Sequence, residues 1–232
     1  MYLALIGDII QSKQLVDRSK AQETLKNCLE ELNKTFAPYI VSKLSVTLGD
    51  EFQGLFQMDT PIFHLIDLIN RNMKNSPLRF GLGTGTILTE INPEISIGAD
   101  GPAYWHAREA ITYIHQKNDY GNTTLAIRTG NQEWDDLLNS LISAGEAIKA
   151  NWRTSQWEIF DTLLDLGIYE DYFDQQVLGR CLSLNSSALS KRLKSSHVKI
   201  YLRTRQSALR CLHQLKEVTC LLYTSDAADE RS

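Results

Sequence analysis

"LSVTLGDEFQGLF", residues 44–56, decides the fold. Leu44, Val46 and Leu48 alternate with Ser45 and Thr47, and after Gly49-Asp50 the residues Phe52 and Phe56 resume the alternation. Two alternating runs around a Gly-Asp pair predict an antiparallel hairpin. Upstream, Leu25, Cys28, Leu29 and Leu32 recur at helical spacing, which predicts an amphipathic helix over about 19–36, capped by Asp17 or Ser19. Downstream, Pro61 opens a second helix whose periodic stretch holds Phe63, Ile66 and Ile69.

Strands flank these helices on both sides. "YLALIG", residues 2–7, is a short continuous apolar run that ends in Gly-Asp, as a buried central strand does. "LRFGLGTGTIL", residues 78–88, places Gly81, Gly83 and Gly85 at period two, so one face of that strand lacks side chains and admits the close approach of another backbone. The order is strand, helix, hairpin, helix, strand, which predicts a β-α-β-β-α-β core of the ferredoxin-like kind within an α+β fold. Parallel crossovers then set the first strand beside the hairpin. An added helix from about Pro102, a strand in "TTLAIRT" and a helix over 133–150 extend the core.

From residue 155 to 216 the strand pattern disappears and successive short helices follow, so a domain boundary is expected near Asn151–Gln156. Residues 1–150 would form the α/β domain and 155–216 an all-α domain. The last thirteen residues, "CLLYTSDAADERS" (220–232), share no periodicity with what precedes them. They resemble translated sequencing-adapter read-through and are expected to be a non-native tail.

Charge is distributed unevenly. The 232 residues carry a formal charge of −4, with ordinary globular fractions of hydrophobic (43%) and charged (22%) residues. Yet residues 175–216 contain no Asp or Glu, while Arg180, Lys191, Arg192, Lys194, Lys199, Arg203, Arg205, Arg210 and Lys216 all lie there. The cysteines at 28, 181, 211 and 220 form no CxxC pair, which argues against a zinc knuckle and a disulfide framework and suits reduced thiols in a cytoplasm. The N-terminus has no basic segment and breaks at Gly7-Asp8, unlike a signal peptide, and no apolar run approaches the ~18 residues of a membrane span.

Chemistry is expected where Asp8 ends the first strand and Asp50 sits in the hairpin turn, since the fold makes these points neighbours. Two converging carboxylates repel unless a cation lies between them, and Mg²⁺ takes one or two carboxylates together with phosphate oxygens. The segment from Ile9 to Lys13 offers backbone amides as a phosphate cradle, with Ser12 and Lys13 assisting. Arg108, on the helix that begins at Gly101-Pro102, is placed to meet a metal-bound phosphate. Each Asp also has a local explanation, because Asp favours strand ends and turns. His64, His106 and His115 lack ligand-like spacing and are taken as structural or exposed; Ser12 lacks a His-Asp relay.

"GDIIQSK", "TLGDEFQGLF" and "GADGPAYWHAREA" together resemble the SatD family of bacterial proteins, over about residues 1–216. That family takes its name from acid tolerance. More distantly, the same blocks resemble the palm of class III nucleotide cyclases and of GGDEF diguanylate cyclases. The resemblance implies metal-binding roles for Asp8 and Asp50 and a transition-state role for Arg108 were the protein an enzyme. It also marks departures. Val46 stands where such cyclases often carry a purine-selecting Lys, Tyr104 where they carry an Asn, and Leu48 where diguanylate cyclases have the first of two glycines. The phosphate half of the chemistry is kept and the base-reading half is not.

The basic segment "VLGRCLSLNSSALSKRLKSSHVKIYLRTRQ", residues 177–206, suggests helix, turn, helix. Leu189 and Leu193 would face inward and Ser190, Lys191, Lys194 and Ser195 outward, with Arg192 beside them and Ser186 or Ser187 as cap. Such a second helix suits a major groove. Lys199, Arg203 and Arg205 would hold phosphates. The expectation is a cytoplasmic, stress-related DNA-binding regulator that senses a nucleoside triphosphate or signalling nucleotide with Mg²⁺, acts as a homodimer and avoids membranes. The rivals are a nucleotidyl cyclase or related phosphotransferase, and a non-catalytic adaptor with relic sites.

Overall fold

A computed structural model describes residues 1–116 and 121–229. Its α+β architecture holds five strands and eight α-helices among these residues. The chain runs β1 (Tyr2–Ile9), α1 (Arg18–Thr35), β2 (Ile40–Val46), β3 (Glu51–Phe56), α2 (Ile62–Asn72), β4 (Leu78–Gly85), α3 (Pro102–His115), β5 (Leu125–Arg128) and α4 (Gln132–Lys149). Then come α5 (Thr154–Asp165), α6 (Gln175–Cys181), α7 (Ser186–Ser196) and α8 (Val198–Asp229).

The sheet order is β2-β3-β1-β4-β5. β1 pairs antiparallel with β3 and β4, and β5 joins β4 in parallel. The first six elements are therefore β-α-β-β-α-β, with the N-terminal strand at the centre and both flanks of its ladder satisfied. That position explains why β1 is almost continuously apolar: Leu3, Ala4, Leu5 and Ile6 are all buried.

Alternation assigns the two faces. Leu3, Leu5 and Ile9 point to a core shared with α1 and α2, in which Leu25, Leu29, Phe52, Phe56, Phe63 and Phe80 are also buried. Each such Leu or Phe contributes about 1.5–3 kcal/mol by leaving water. Ala4 and Ile6 face the other way, towards Ala103, Tyr104 and Ala107 of α3. Gly81, Gly83 and Gly85 lie on that same side. A methyl group added at Gly81 or Gly83 would collide with the α3 backbone at Ala107 or Ala103. The period-two glycines thus exist so that a helix can lie directly on a strand, as the sequence suggested.

Local signals fix the helix ends. The Asp17 side chain caps α1 by accepting from the Lys20 amide at 2.9 Å, and Asn131 caps α4 through the amides of Glu133 and Trp134. The cap of α7 is Asn185, which accepts from the Ala188 amide at 2.8 Å, rather than Ser186 or Ser187. Asn185 precedes both, and a planar amide two bonds from the backbone reaches the N3 amide as well as a hydroxyl does.

The C-terminal helices build a second core around Trp152, Ile159, Phe160, Leu163, Leu178, Leu189, Val198 and Tyr201. Trp152 sits edge-on or tilted against Trp157, Phe160 and Tyr201 at centroid distances of 5.1–5.2 Å, and its indole N–H donates to the Ser196 carbonyl at 2.6 Å. The final helix is a long one, not one of several short pieces. Its residues Ala208 and Leu212 enter the first core beside Leu138 and Ile142 of α4. Among the described residues no helix is long and apolar enough to cross a membrane.

Candidate functional site

The site is assembled where β1, β3 and β4 end together. Asp8 on β1 lies opposite Glu51 on β3 and opposite Arg79 on β4. Directly opposed residues of antiparallel strands share a face, so Glu51, Asp8 and Arg79 form a row on the α3 side of the sheet. Arg79 Nε donates to Asp8 Oδ1 at 2.9 Å, and His115, the last residue of α3, stands 3.2 Å from Asp8 Oδ2 through Nε2. Arg79 Nη1 also lies 3.0 Å from His115 Nδ1.

That geometry fixes the tautomer. A guanidinium can only donate, so Nδ1 of His115 accepts; a neutral ring then carries its proton on Nε2, directed at Asp8. Both oxygens of Asp8 are occupied and its side chain is only 17% exposed. Arg79 and His115 thus hold the carboxylate in one orientation.

Asp50 is reached from the other side. Gly49 takes the left-handed conformation (φ 68°) that turns the chain, and the Asp50 carbonyl accepts from the Ile9 amide at 3.1 Å. Its carboxylate accepts from the hydroxyl of Ser12, which is buried in the turn just after β1. Asp8 and Asp50 therefore sit at one end of the same strand pair but are held by different partners. The next residue, Glu51, is 3.9 Å from Arg108 of α3, a guanidinium that is 62% exposed. Strand pairing and α3 bring the three expected elements, the two acids and the Arg, to one rim.

The phosphate cradle is narrower than the sequence suggested. The Ile9 and Ile10 amides are committed to the carbonyls of Asp50 and Pro77, because the strand ladder continues past Asp8. Ser12 gives its hydroxyl to Asp50. What stays open is the short turn around Gln11 and Lys13, with Gln11 in a left-handed conformation (φ 52°) and Lys13 exposed. Glu51, Arg79 and His115 were missed as site residues. Arg79 was within reach: it precedes Gly81 by two and so shares its face, one strand away from Asp8.

As for a metal, no group of three or more His, Cys, Asp or Glu side chains arranged to hold an ion occurs among the described residues. The rim's carboxylates, Asp8, Asp50 and Glu51, are each engaged by a protein partner, so an Mg²⁺ drawing its remaining ligands from phosphate and water would have to displace Arg79 or Ser12 to reach them.

The six basic residues expected to hold DNA divide into three groups: exposed, paired at the surface, and buried. Lys191 and Lys194 are exposed on α7, beside exposed Ser190 and Ser195, while Leu189 and Leu193 are buried. Arg192 pairs with Glu158 at 3.1 Å, Arg203 with Asp171 at 2.7 Å, and the Lys199 ammonium lies 4.8 Å over the Phe173 ring. Arg205 does not belong to this surface. It is 2% exposed, pairs with Glu146 of α4, and donates through Nε to the Tyr201 hydroxyl at 3.1 Å. The absence of nearby acids in the sequence made it look like a surface charge, whereas its counter-charges come from α4 and α2, about 60 and 140 positions upstream.

Around Arg205 lies a buried ionic cluster. Asp67 of α2 takes Lys149 Nζ at 3.0 Å on one oxygen and the hydroxyls of Tyr169 and Tyr201, both at 2.5 Å, on the other. Lys149 also meets Glu146 at 3.2 Å. Burial alone would raise the Asp67 pKa, but the Lys149 and Arg205 charges and the two tyrosine hydrogen bonds outweigh it and hold the carboxyl below its ordinary value. Burial drives both tyrosines upward, so they stay neutral donors.

In comparisons with known proteins, the family model described as SatD family matches residues 2–212. No curated protein matches the chain significantly.

Proposed function

The chain belongs to the SatD family, and from that premise we propose that it is a cytoplasmic, stress-related regulator: a sheet domain that binds a nucleotide with Mg²⁺ at its rim, joined to helices that bind DNA. The observation that supports the nucleotide half is that Asp8 lies opposite the Glu51 that Arg108 pairs with, at the end of the sheet where Asp50 and the exposed Lys13 also lie. A triphosphate with its Mg²⁺ would bring negative charge to Lys13 and to the loosely paired Arg108, and a divalent cation to Asp50, with Asp8 giving up part of its Arg79 pair to join it. The resemblance to cyclase palms points the same way. Tyr104, where those enzymes carry a base-reading Asn, is buried against the sheet, which favours sensing over cyclisation.

The DNA half rests on α6 and α7, joined by a four-residue turn, with Lys191 and Lys194 exposed on the second helix. Phosphate contacts from such a face give affinity that falls steeply with salt.

Titration calorimetry with ATP and with GTP, each with Mg²⁺, tests the first half. Binding by the wild type and its loss in Asp8→Ala/Asp50→Ala is the expected result. Absence of heat with both nucleotides ends the nucleotide reading, and steady release of product marks an enzyme instead. For the second half, retention of duplex DNA by the wild type at low salt should disappear in Lys191→Glu/Lys194→Glu.

A further inference from the structure

Close packing of α6 on α7 decides which side chains α7 turns outward. A methyl group added at Gly179 of α6 would stand 3.2 Å from the Leu184 carbonyl and 3.5 Å from the Leu189 side chain. Leu189 and Leu193 are buried, so Ser187, Ser190, Lys191 and Lys194 make the exposed outer stripe. Residues 175–216 contain no Asp or Glu. Arg180 of α6, Lys191 and Lys194 are exposed and carry no ion pair among the described residues. The outer face is therefore cationic, and its charge complements a phosphate backbone.

The kinds of residue on this face limit what it can read. Sequence is read best by a side chain that meets two groups of a base at once, an Arg fork on guanine or the donor–acceptor pair of Asn or Gln on adenine. Each such contact separates the right base from a wrong one by about 5- to 150-fold. On α7 none is free to do so. Its one arginine, Arg192, pairs with Glu158 of α5 at 3.1 Å. Asn185, at the cap, has its side-chain oxygen on the Ala188 amide at 2.8 Å and so lacks the acceptor that adenine requires. Serine hydroxyls serve any base, and a lysine ammonium is a point charge without a fixed fork. Gln175 and Gln176 are exposed, but they begin α6, the helix that crosses the phosphate backbone when the second helix of such a pair fills the groove.

Resting on the DNA reading above, we propose that the α6–α7 face binds duplex DNA with little choice of sequence. Arg180, Lys191 and Lys194 hold phosphates, while Ser187 and Ser190 let α7 lie close in the major groove and read it weakly. Lys199 and Arg203, engaged by Phe173 and Asp171, take no part, and neither does the buried Arg205.

The test is fluorescence anisotropy on the full chain with labelled duplexes of unrelated sequence, AT-rich, GC-rich and mixed, together with selection from a randomised duplex pool. The duplexes bind within about tenfold of one another. Affinity falls with salt at a log–log slope of about −2.7, from three phosphate contacts at about −0.9 each. Arg180→Ala, Lys191→Ala and Lys194→Ala each flatten that slope by about one, whereas Arg192→Ala and Arg203→Ala leave it unchanged. Circular dichroism melts confirm that the variants fold. A pool that converges on one motif, bound more than about a hundredfold more tightly than scrambled DNA, overturns the proposal while leaving the DNA reading in place. A slope that flattens in Arg192→Ala or Arg203→Ala also overturns it, because the contact set is then a different one. Failure of every duplex to bind at low salt removes the DNA reading itself, and the proposal with it.

Discussion

Charged side chains gather in two places in this molecule, and the two gatherings differ in kind. At the rim, Asp8, Glu51, Arg79, Arg108 and His115 are partly open to solvent, and Arg108 touches Glu51 at only 3.9 Å. In the interior, Asp67, Glu146, Lys149 and Arg205 are closed off, charge-balanced and cross-linked by two tyrosine hydroxyls. The interior set is bound to itself and holds three helices in register. The rim set is more exposed, and one of its cations, Arg108, is loosely held, which is why a ligand site is proposed there.

The sharpest way to break this comparison is Asp67→Ala. It removes one member of a neutral buried set and strands Lys149 and two tyrosines, so unfolding by urea should show a loss of about 3–5 kcal/mol. A loss under 1 kcal/mol, on the scale of an exposed pair, would erase the distinction between the two places.

The same residue predicts a pH dependence. The folded pKa of Asp67 is depressed from the ordinary 3.8, so the folded state holds fewer protons than the unfolded state in that window. The stability due to Asp67 is present above pH 3.8 and is lost as pH falls below it through the folded pKa. Chemical denaturation of wild type and Asp67→Asn across pH 6 to 2.5 should therefore give curves that approach each other in acid.

Arg79→Ala should have a smaller effect, about 1–2 kcal/mol, since Asp8 keeps His115 and partial access to water. If Asp8 serves a metal–nucleotide, this variant frees one oxygen, and Mg²⁺-nucleotide binding should survive it although stability drops. The least effect belongs to Arg192→Ala. Its pair with Glu158 is 34% and 53% exposed, and thermal melts should register no more than about 0.5 kcal/mol.

Much of the scaffold was visible in the residue pattern. The hairpin at 44–56, the helices on either side and the glycine-faced β4 all carry period-two or period-3.6 signals that survive because each element packs one face. The rim was partly visible: Asp8 and Asp50 follow from strand ends, but Glu51, Arg79 and His115 need the register of three strands and the length of α3. The interior cluster was not visible. Asp67 and Lys149 look like ordinary polar positions on amphipathic helices, and Arg205 sits in a run of cations. One clue existed. Tyr201, Arg205, Ala208 and Leu212 fall on one side of α8, so Arg205 stands in an apolar stripe, where a lone cation implies a hidden acid.

The path of α8 bears on how the chain can be divided. Its Tyr201 and Val198 finish the core of the C-terminal helices, and three turns later its Ala208 and Leu212 fill the core beneath the sheet. One rod is a structural member of both halves. A fragment ending near residue 150 would lack the stopper for its own hydrophobic floor, exposing Leu138 and Ile142, and should aggregate when expressed alone, whereas mixing it with a peptide spanning 198–216 should return it to solution.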